Sequence, residues 1–303
     1  MSILEQKKKF LDPKTFALIS NYRLIARLIV DGFFMGLHAG PRHAFSLEYS
    51  RHRDYYPGDP LKLIDWKLYG KTDRFFVKQF EEETTLQAWL VLDSSKSMSY
   101  TGKQTPVSKL KYASYLAAAF SHMLLKQRDA TGLMTFDNRL RKLILPSSSG
   151  KQLDIILKEL QHLEAGGSSH FEQAASLAAN RIKRRGLIVL FSDFLEAPEK
   201  IEKTLKQFLA RGNELIVFHI LTFEELNFSF RRFSFFEDME THQRILLNPR
   251  HFKGEYVEKM AQYLNTIRKI CGRLKVSYQL LDTMTPLDQA LRMFLKSRER
   301  VAA

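Results

Sequence analysis

The sequence predicts an α/β fold, a doubly wound and mostly parallel sheet with helices on both faces, preceded by a small region of helix and short strands. Three observations carry this. Uninterrupted apolar runs at 88–92, 186–191 and 214–221 are the mark of strands buried on both faces. Amphipathic helical patterns separate those runs, which implies crossover connections covering the sheet. Two of the runs end in aspartate, the first at Asp93 and the second at Ser192-Asp193, at the carboxyl ends of strands, where open α/β sheets bind ligands.

The elements follow in order. From Pro13 to Gly36 the apolar residues Phe16, Leu18, Ile19, Leu24, Ile25, Leu28 and Ile29 recur at helical spacing, and glycines and a proline at 32, 36, 40 and 41 end the pattern. Residues 43–87 hold Phe45, Leu47 and Tyr49, then Phe75, Phe76, Val77 and Phe80, with Pro57-Gly58-Asp59 between them. That composition suggests short strands around a tight turn, because proline presets φ and glycine accepts positive φ. A helix is expected at 109–125 with Leu110, Ala113, Leu116, Ala117, Phe120 and Leu124 on one side. Strands at 130–136 and 140–145 read as a hairpin around Asp137-Asn138, which makes Asp137 a turn residue. Two consecutive helices are expected near 151–164 and 170–182, before the 186–191 strand, and a third near 198–211 leads to the 214–221 strand. The stretch 222–254 has no clean period. Helix resumes over 255–273, and a strand at 276–281 and a helix at 286–299 close the chain. These elements divide the chain into residues 1–85, a helix and short-strand region packed on the core, and residues 86–303, the α/β domain with a C-terminal helix.

The chain has 303 residues, 45% of them apolar and 26% charged, which excludes a disordered chain, a collagen-like fibre and a disulfide scaffold. Its one cysteine, Cys271, has no internal partner and reads as inert packing in an apolar helix. Leu24–Gly40 is interrupted by Arg27, Asp31 and His38, so no segment reads as membrane-spanning. No secretory leader is expected either, and the protein reads as cytoplasmic. The formal charge of +14 attracts anionic partners. Its densest runs, Lys7-Lys8-Lys9, Arg181 with Lys183-Arg184-Arg185, and Lys296 with Arg298 and Arg300, are dispersed and lack any nucleic-acid signature. Nucleic acid is therefore not the expected ligand, and solvated faces explain the excess.

The chemistry gathers at strand ends. Asp93-Ser94-Ser95-Lys96-Ser97 spaces Asp93, Ser95 and Ser97 at alternate positions, and Gly166-Gly167-Ser168-Ser169 offers hydroxyls just before a helix. With Asp193 these make an all-oxygen donor set of Asp93, Ser95, Ser97, Ser168 and Asp193, suited to a hard cation such as magnesium, which keeps some of its waters. Two carboxylates neutralise a divalent ion. With Asp93 bound directly and Asp193 bound through water, the ion stays electrophilic, and an Asp or Glu from a partner can replace a water. Lys96, His170 and Phe194 flank these residues in sequence and are the expected partner-contact side chains; a solvated His170 at a helix start is the plainer alternative.

Asp93-x-Ser95-x-Ser97, the Gly-Gly-Ser168 turn and Asp193 resemble the metal-ion-dependent adhesion site of von Willebrand factor A domains, over residues 86–283. The family pattern has threonine where Ser168 stands; serine keeps the hydroxyl and loses a methyl. Upstream, Arg53-x-Tyr55-x-Pro57-Gly58-Asp59, Ile64-Asp65-Trp66, Lys71-Thr72-Asp73-Arg74 and Val77-Lys78-x-Phe80-Glu81 are similar to a narrower group. This is the bacterial domain-of-unknown-function family fifty-eight, whose members accompany MoxR-type AAA ATPases. The resemblance implies a von Willebrand factor A-like fold and a magnesium-dependent adaptor beside such an ATPase, and it does not imply catalysis.

Other residues carry plainer expectations. Trp66 is expected to be buried, with a polar network around Asp65 and an arginine; a binding surface of Arg53, Asp59, Asp65 and Trp66 is the other reading. The phenylalanines at 223, 228, 230, 233, 235 and 236 fit equally a loop lying over the core and an exposed aromatic patch. Enzyme readings find little support. There is no Gly-x-Ser-x-Gly, Walker or Gly-x-Gly-x-x-Gly motif, and an aspartyl phosphoryl-transfer site wants a second carboxylate where Ser95 stands. A metal-dependent phosphoesterase and a nucleic-acid module are the alternatives to the adaptor.

Overall fold

In the computed structural model of the chain the described residues are 13–19, 21–36, 52–56, 64, 66–78, 87–105, 107–167, 171–230, 234–237 and 244–292. They fall into two units, residues 1–35 with 86–303, and residues 36–85.

The N-terminal helical pattern forms two helices, α1 (Pro13–Phe16) and α2 (Tyr22–Gly36). The break has a local cause. The side chain of Asn21 accepts the Leu24 N–H at 3.1 Å, the role of an N-cap, so a new helix starts there. In the smaller unit, β1 (His52–Asp54) pairs antiparallel with β2 (Phe76–Lys78), and α3 (Trp66–Thr72) lies between them in sequence. Its rings cluster: Tyr69 stacks on Phe75 at 4.4 Å, and Trp66 meets both edge-on. Burial of Trp66 is not what the structure has, since 59% of it is exposed. A seven-residue helix in so small a unit supplies a shared aromatic cluster and no enclosing core. Pro57, Gly58, Asp59 and Asp65 lie outside the described residues.

The main sheet then builds from β3 (Gln87–Asp93), β4 (Ala130–Phe136), β5 (Leu140–Ser147), β6 (Leu187–Ser192), β7 (Glu214–Leu221) and β10 (Ser277–Asp282). Its order is β10-β7-β6-β3-β4-β5, parallel throughout except for β5, which returns antiparallel to β4 as the expected hairpin. The helices are α4 (Lys109–Lys126), α5 (Gln152–Gln161), α6 (Phe171–Arg181), α7 (Pro198–Leu209), the short α8 (Phe223–Asn227) and α9 (Pro249–Arg273). Residues 287–292 are also helical. Among the described residues no helix is long and apolar enough to cross a membrane.

Alternation along the strands sorts the core into two layers. Trp89, Val91, Ile188, Leu190, Leu215 and Val217 pack with Ala178 of α6, Ile201 and Phe208 of α7, and Ile267 and Cys271 of α9. On the other face Phe191 stacks on Phe218 at 5.3 Å, and Phe120 of α4 meets both rings. Helix α4 is buried nearly all round. The reason is a second cover: Phe16 and Tyr22 from the N-terminal helices meet Tyr115, whose hydroxyl donates to the Phe16 carbonyl at 3.1 Å. The N-terminal helices thus group with residues 86–303.

The aperiodic stretch 222–254 contains α8 and a two-stranded hairpin, β8 (Ser234–Glu237) with β9 (Arg244–Leu247). The described phenylalanines divide between the two expected roles, and Phe233 lies outside the described residues. Phe228 is buried against Tyr256, Phe230 and Phe236, whereas Phe235 and its cross-strand partner Leu246 are exposed. The thiol of Cys271 is fully buried, and burial pushes it up to about 12, which leaves it unreactive.

Candidate metal centre

Strands β3 and β6 are neighbours in parallel register, Leu92 opposite Phe191, so their carboxyl ends deliver Asp93 and the Ser192-Asp193 pair to one place. Both aspartates are 2% exposed. Asp93 is held by two donors: the Ser95 N–H reaches Oδ1 at 2.9 Å and the Ser192 hydroxyl reaches Oδ2 at 2.7 Å. The hydroxyls of Ser95 and Ser97 are 3.1 Å apart and both residues are buried. Four expected donors, Asp93, Ser95, Ser97 and Asp193, therefore gather at the ends of two adjacent strands. The alternate spacing does not come from an extended loop: residues 96–99 form a 3-10 turn.

The glycine turn is fastened to this loop. The Gly166 N–H donates to the Ser94 carbonyl at 2.9 Å, and the Lys96 N–H donates to the Gly167 carbonyl at 3.2 Å. Gly167 has a φ of +75°, and a Cβ there would stand 2.5 Å from Asp137 Oδ2. Asp137 is the turn residue the sequence suggested. It accepts the Arg139 N–H at 3.1 Å and is paired with Arg141, so it cannot easily give way. Gly167→Ala is therefore expected to destabilise the fold by about 1–2 kcal/mol or more, from the left-handed backbone alone, and a urea melt measures it. An unshifted midpoint would show that the turn is not held as described. Ser168 and His170 lie outside the described residues.

Burial, and then the charge of Asp193, push the Asp93 carboxyl up to about 7 against the pull of its hydrogen bonds. Asp193 is paired differently. Lys109, fully buried at the start of α4, donates from Nζ to Asp193 Oδ2 at 2.8 Å and also to Glu225 Oε1. Glu225 is itself fixed by a capping box with Thr222, which starts α8 at the end of β7. His219 of β7 lies beneath. Its Nε2 is 2.9 Å from the Asp193 carbonyl oxygen and its Nδ1 is 2.8 Å from the Tyr278 hydroxyl. A carbonyl only accepts, so Nε2 carries the proton and Nδ1 accepts from Tyr278. Burial brings the imidazole down to about 4, keeping it neutral.

The fit to a cation can be judged from these groups. Asp93, Asp193 and Glu225 are carboxylates and Lys109 is one ammonium, so an excess of negative charge is buried. Burying like charges together is costly unless a cation offsets them. The donors are all oxygen, as a hard divalent ion requires. Among the described residues no group of three or more His, Cys, Asp and Glu side chains has metal-ligand spacing, so any ion would rest on two carboxylates and hydroxyls. With that composition the residues fit magnesium.

The sequence profile described as "Protein of unknown function DUF58" matches residues 51–263, well over half of the chain. The chain belongs to the DUF58 family. Uncharacterized proteins Rv1480 of Mycobacterium tuberculosis and Mb1516 of Mycobacterium bovis are each 26% identical to it over 210 residues, 68% of this chain. The chain spans 65% of the length of these curated relatives. Among solved structures, the conserved hypothetical protein BatB from Bacteroides thetaiotaomicron is 14% identical with a TM-score of 0.42, covering 71% of this chain and 99% of that one. The SpRpn10 VWA domain is 14% identical with a TM-score of 0.33, covering 45% of this chain and 75% of that one. The sheet order of this DUF58 chain, with its antiparallel edge strand and helices on both faces, is the von Willebrand factor A-like arrangement.

One of the expected partner contacts reads differently in the DUF58 structure. Phe194 is not a surface residue: it is 1% exposed and packs into the core, edge-on to His219 at 5.4 Å. Its φ of +47° turns the chain just after the strand, and its amide and carbonyl are held by Ser192 and Tyr263. Lys96 opens the 3-10 turn and is half-buried. Lys109, Glu225 and His219 were missed. Thr222-x-x-Glu225 is a legible capping box, but a lysine at a helix start looks like any solvated lysine until the acids above it are known.

Proposed function

We propose that this protein is a magnesium-dependent protein-recognition adaptor, acting in the cytoplasm beside a MoxR-type AAA ATPase and without catalytic activity of its own. The client offers an Asp or Glu side chain to the cation. The observation that carries the reading is the convergence of Asp93 and Asp193, both buried, at adjacent strand ends with surplus negative charge. Asp93, Ser95, Ser97 and Asp193 would hold the ion, with Ser168 following the fastened glycine turn. When bound, magnesium supplies an electrophilic position that accepts an external carboxylate. The chain's own residues do the rest. Ser95 and Ser192 orient the Asp93 carboxylate, the Gly166-Gly167 turn holds the loop, and Lys96 at the half-buried rim is the contact offered to an acidic partner.

The test is retention of a MoxR-type ATPase or client from lysate on the immobilised protein, with magnesium and with EDTA. Retention should require magnesium and be lost in Asp93→Ala. Equal recovery in EDTA and with that variant would overturn the reading.

A further inference from the structure

Lys109 is the least expected residue of the centre. It is the first residue of α4 and is 0% exposed. A cation at a helix N-terminus sits at the wrong end of the dipole, and burial alone would strip its charge. Its ammonium is kept there by Asp193 at 2.8 Å and by Glu225, and it lies 5.9 Å from the centre of the Tyr100 ring. Glu225 in turn cannot follow the lysine elsewhere, because Thr222 donates to its other oxygen from both N–H and hydroxyl. The ammonium is thus clamped at a fixed place beside one of the two carboxylates a metal ion would use. Among the described residues Asp93 has no such rival: its donors are the Ser95 N–H and neutral serine hydroxyls.

We propose that Lys109 is a positioning residue that shares Asp193 with the metal ion, so that the ion is held mainly by Asp93 and is left short of negative charge. This rests on the cation reading above and adds a cause to it. A site with two unshared carboxylates would bind its ion tightly and satisfy its charge internally. With Asp193 half-claimed by an ammonium, the ion binds more weakly and keeps its attraction for an acidic group from outside. Lys109 therefore tunes both the strength of ion binding and the need for a partner's carboxylate. Lys109 bonds both Asp193 and Glu225 of the α8 cap, so this lysine joins the centre to the end of β7.

The experiment is a titration of the full chain with Mn2+, followed by electron paramagnetic resonance of the free ion, in four proteins. Lys109→Met combined with Glu225→Gln removes one charge of each sign, so the net charge is unchanged and only the hold on Asp193 is released. Its Mn2+ binding should tighten by about tenfold or more, since an ammonium within hydrogen-bonding distance competes directly with the ion for the Asp193 carboxylate. Lys109→Arg keeps the charge and should stay near wild type. Glu225→Gln alone leaves the cap serviceable but gives the ammonium wholly to Asp193, and its Mn2+ binding should weaken. If the double variant does not fold, as judged by a cooperative melt, Glu225→Gln carries the test by itself. Unchanged or weaker binding in a folded double variant, or unchanged binding in Glu225→Gln, overturns the role of Lys109 while leaving the cation site standing. Wild-type protein that binds no Mn2+ overturns both. A merely structural lysine would not tighten ion binding when removed.

Discussion

Asp93→Asn is expected to abolish divalent-cation binding while leaving a metal-free protein at least as stable as the wild type. The two halves of this result have one cause. Asp93 is buried next to Asp193, and its carboxyl is raised to about 7 by burial and by that neighbour's charge. Without a cation the fold carries this repulsion, and asparagine removes it. The hydrogen bonds survive the change, because the Asn Oδ1 can still accept the Ser95 N–H. Ser192 can reverse its hydroxyl to accept from Asn Nδ2 while it continues to accept the Phe194 N–H. The cation loses more than the fold gains. A unit charge about 4 Å away is worth about 4 kcal/mol at an effective dielectric of 20, so binding should weaken by at least about 100-fold. Calorimetric titration with Mg2+ and a thermal melt in EDTA measure both halves. A variant that melts well below wild type in EDTA would mean that Asp93 is a structural carboxylate, satisfied without an ion.

Cation affinity should also depend steeply on pH. A ligand carboxylate must be ionised, so protons and the cation compete at Asp93. With its carboxyl at about 7, affinity should be nearly level above pH 8 and fall about tenfold per unit below pH 7. An ordinary aspartate would leave it level down to about pH 5. The consequences for stability have opposite signs. A raised Asp93 means that the native state holds more protons than the unfolded chain between about pH 4 and 7, so this group's contribution to metal-free stability declines as pH rises through that window. His219 is lowered to about 4, so its contribution is full above the unfolded imidazole value and is lost as pH falls toward 4. The two largely mask each other in a melt. Mn2+ affinity measured from pH 5 to 8 separates them, because the native His219, lowered to about 4, stays neutral over that range. A flat profile would show that Asp93 is already ionised without help.

How much was legible before any coordinates depended on whether a signal was local. The runs at 88–92, 186–191 and 214–221 form strands because nothing but a doubly covered sheet buries such segments, and they pair in parallel order. Strand ends then brought Asp93 and Asp193 together, and Asp137-Asn138 formed its hairpin. Where competing local signals were weak, the reading was coarser. Asn21 split one helical pattern in two, and the 222–254 stretch hid a five-residue helix and a hairpin. Trp66 looked like core by residue type, but burial belongs to the surroundings and the 36–85 unit supplies too little of them.

The sequence by itself determined the sheet, its two helical layers and the identity of the paired aspartates, since strand order and strand ends follow from hydrophobic period and connection length. Only the tertiary structure decided the charge at those aspartates. Lys109 precedes Asp193 by 84 residues and Glu225 by 116, and no spacing rule joins them. Likewise the positive φ that turns Phe194 inward depends on its amide reaching back to Ser192. Electrostatics of this kind is a property of groups brought together in space, with water removed, and it comes into being only when the strands are in register.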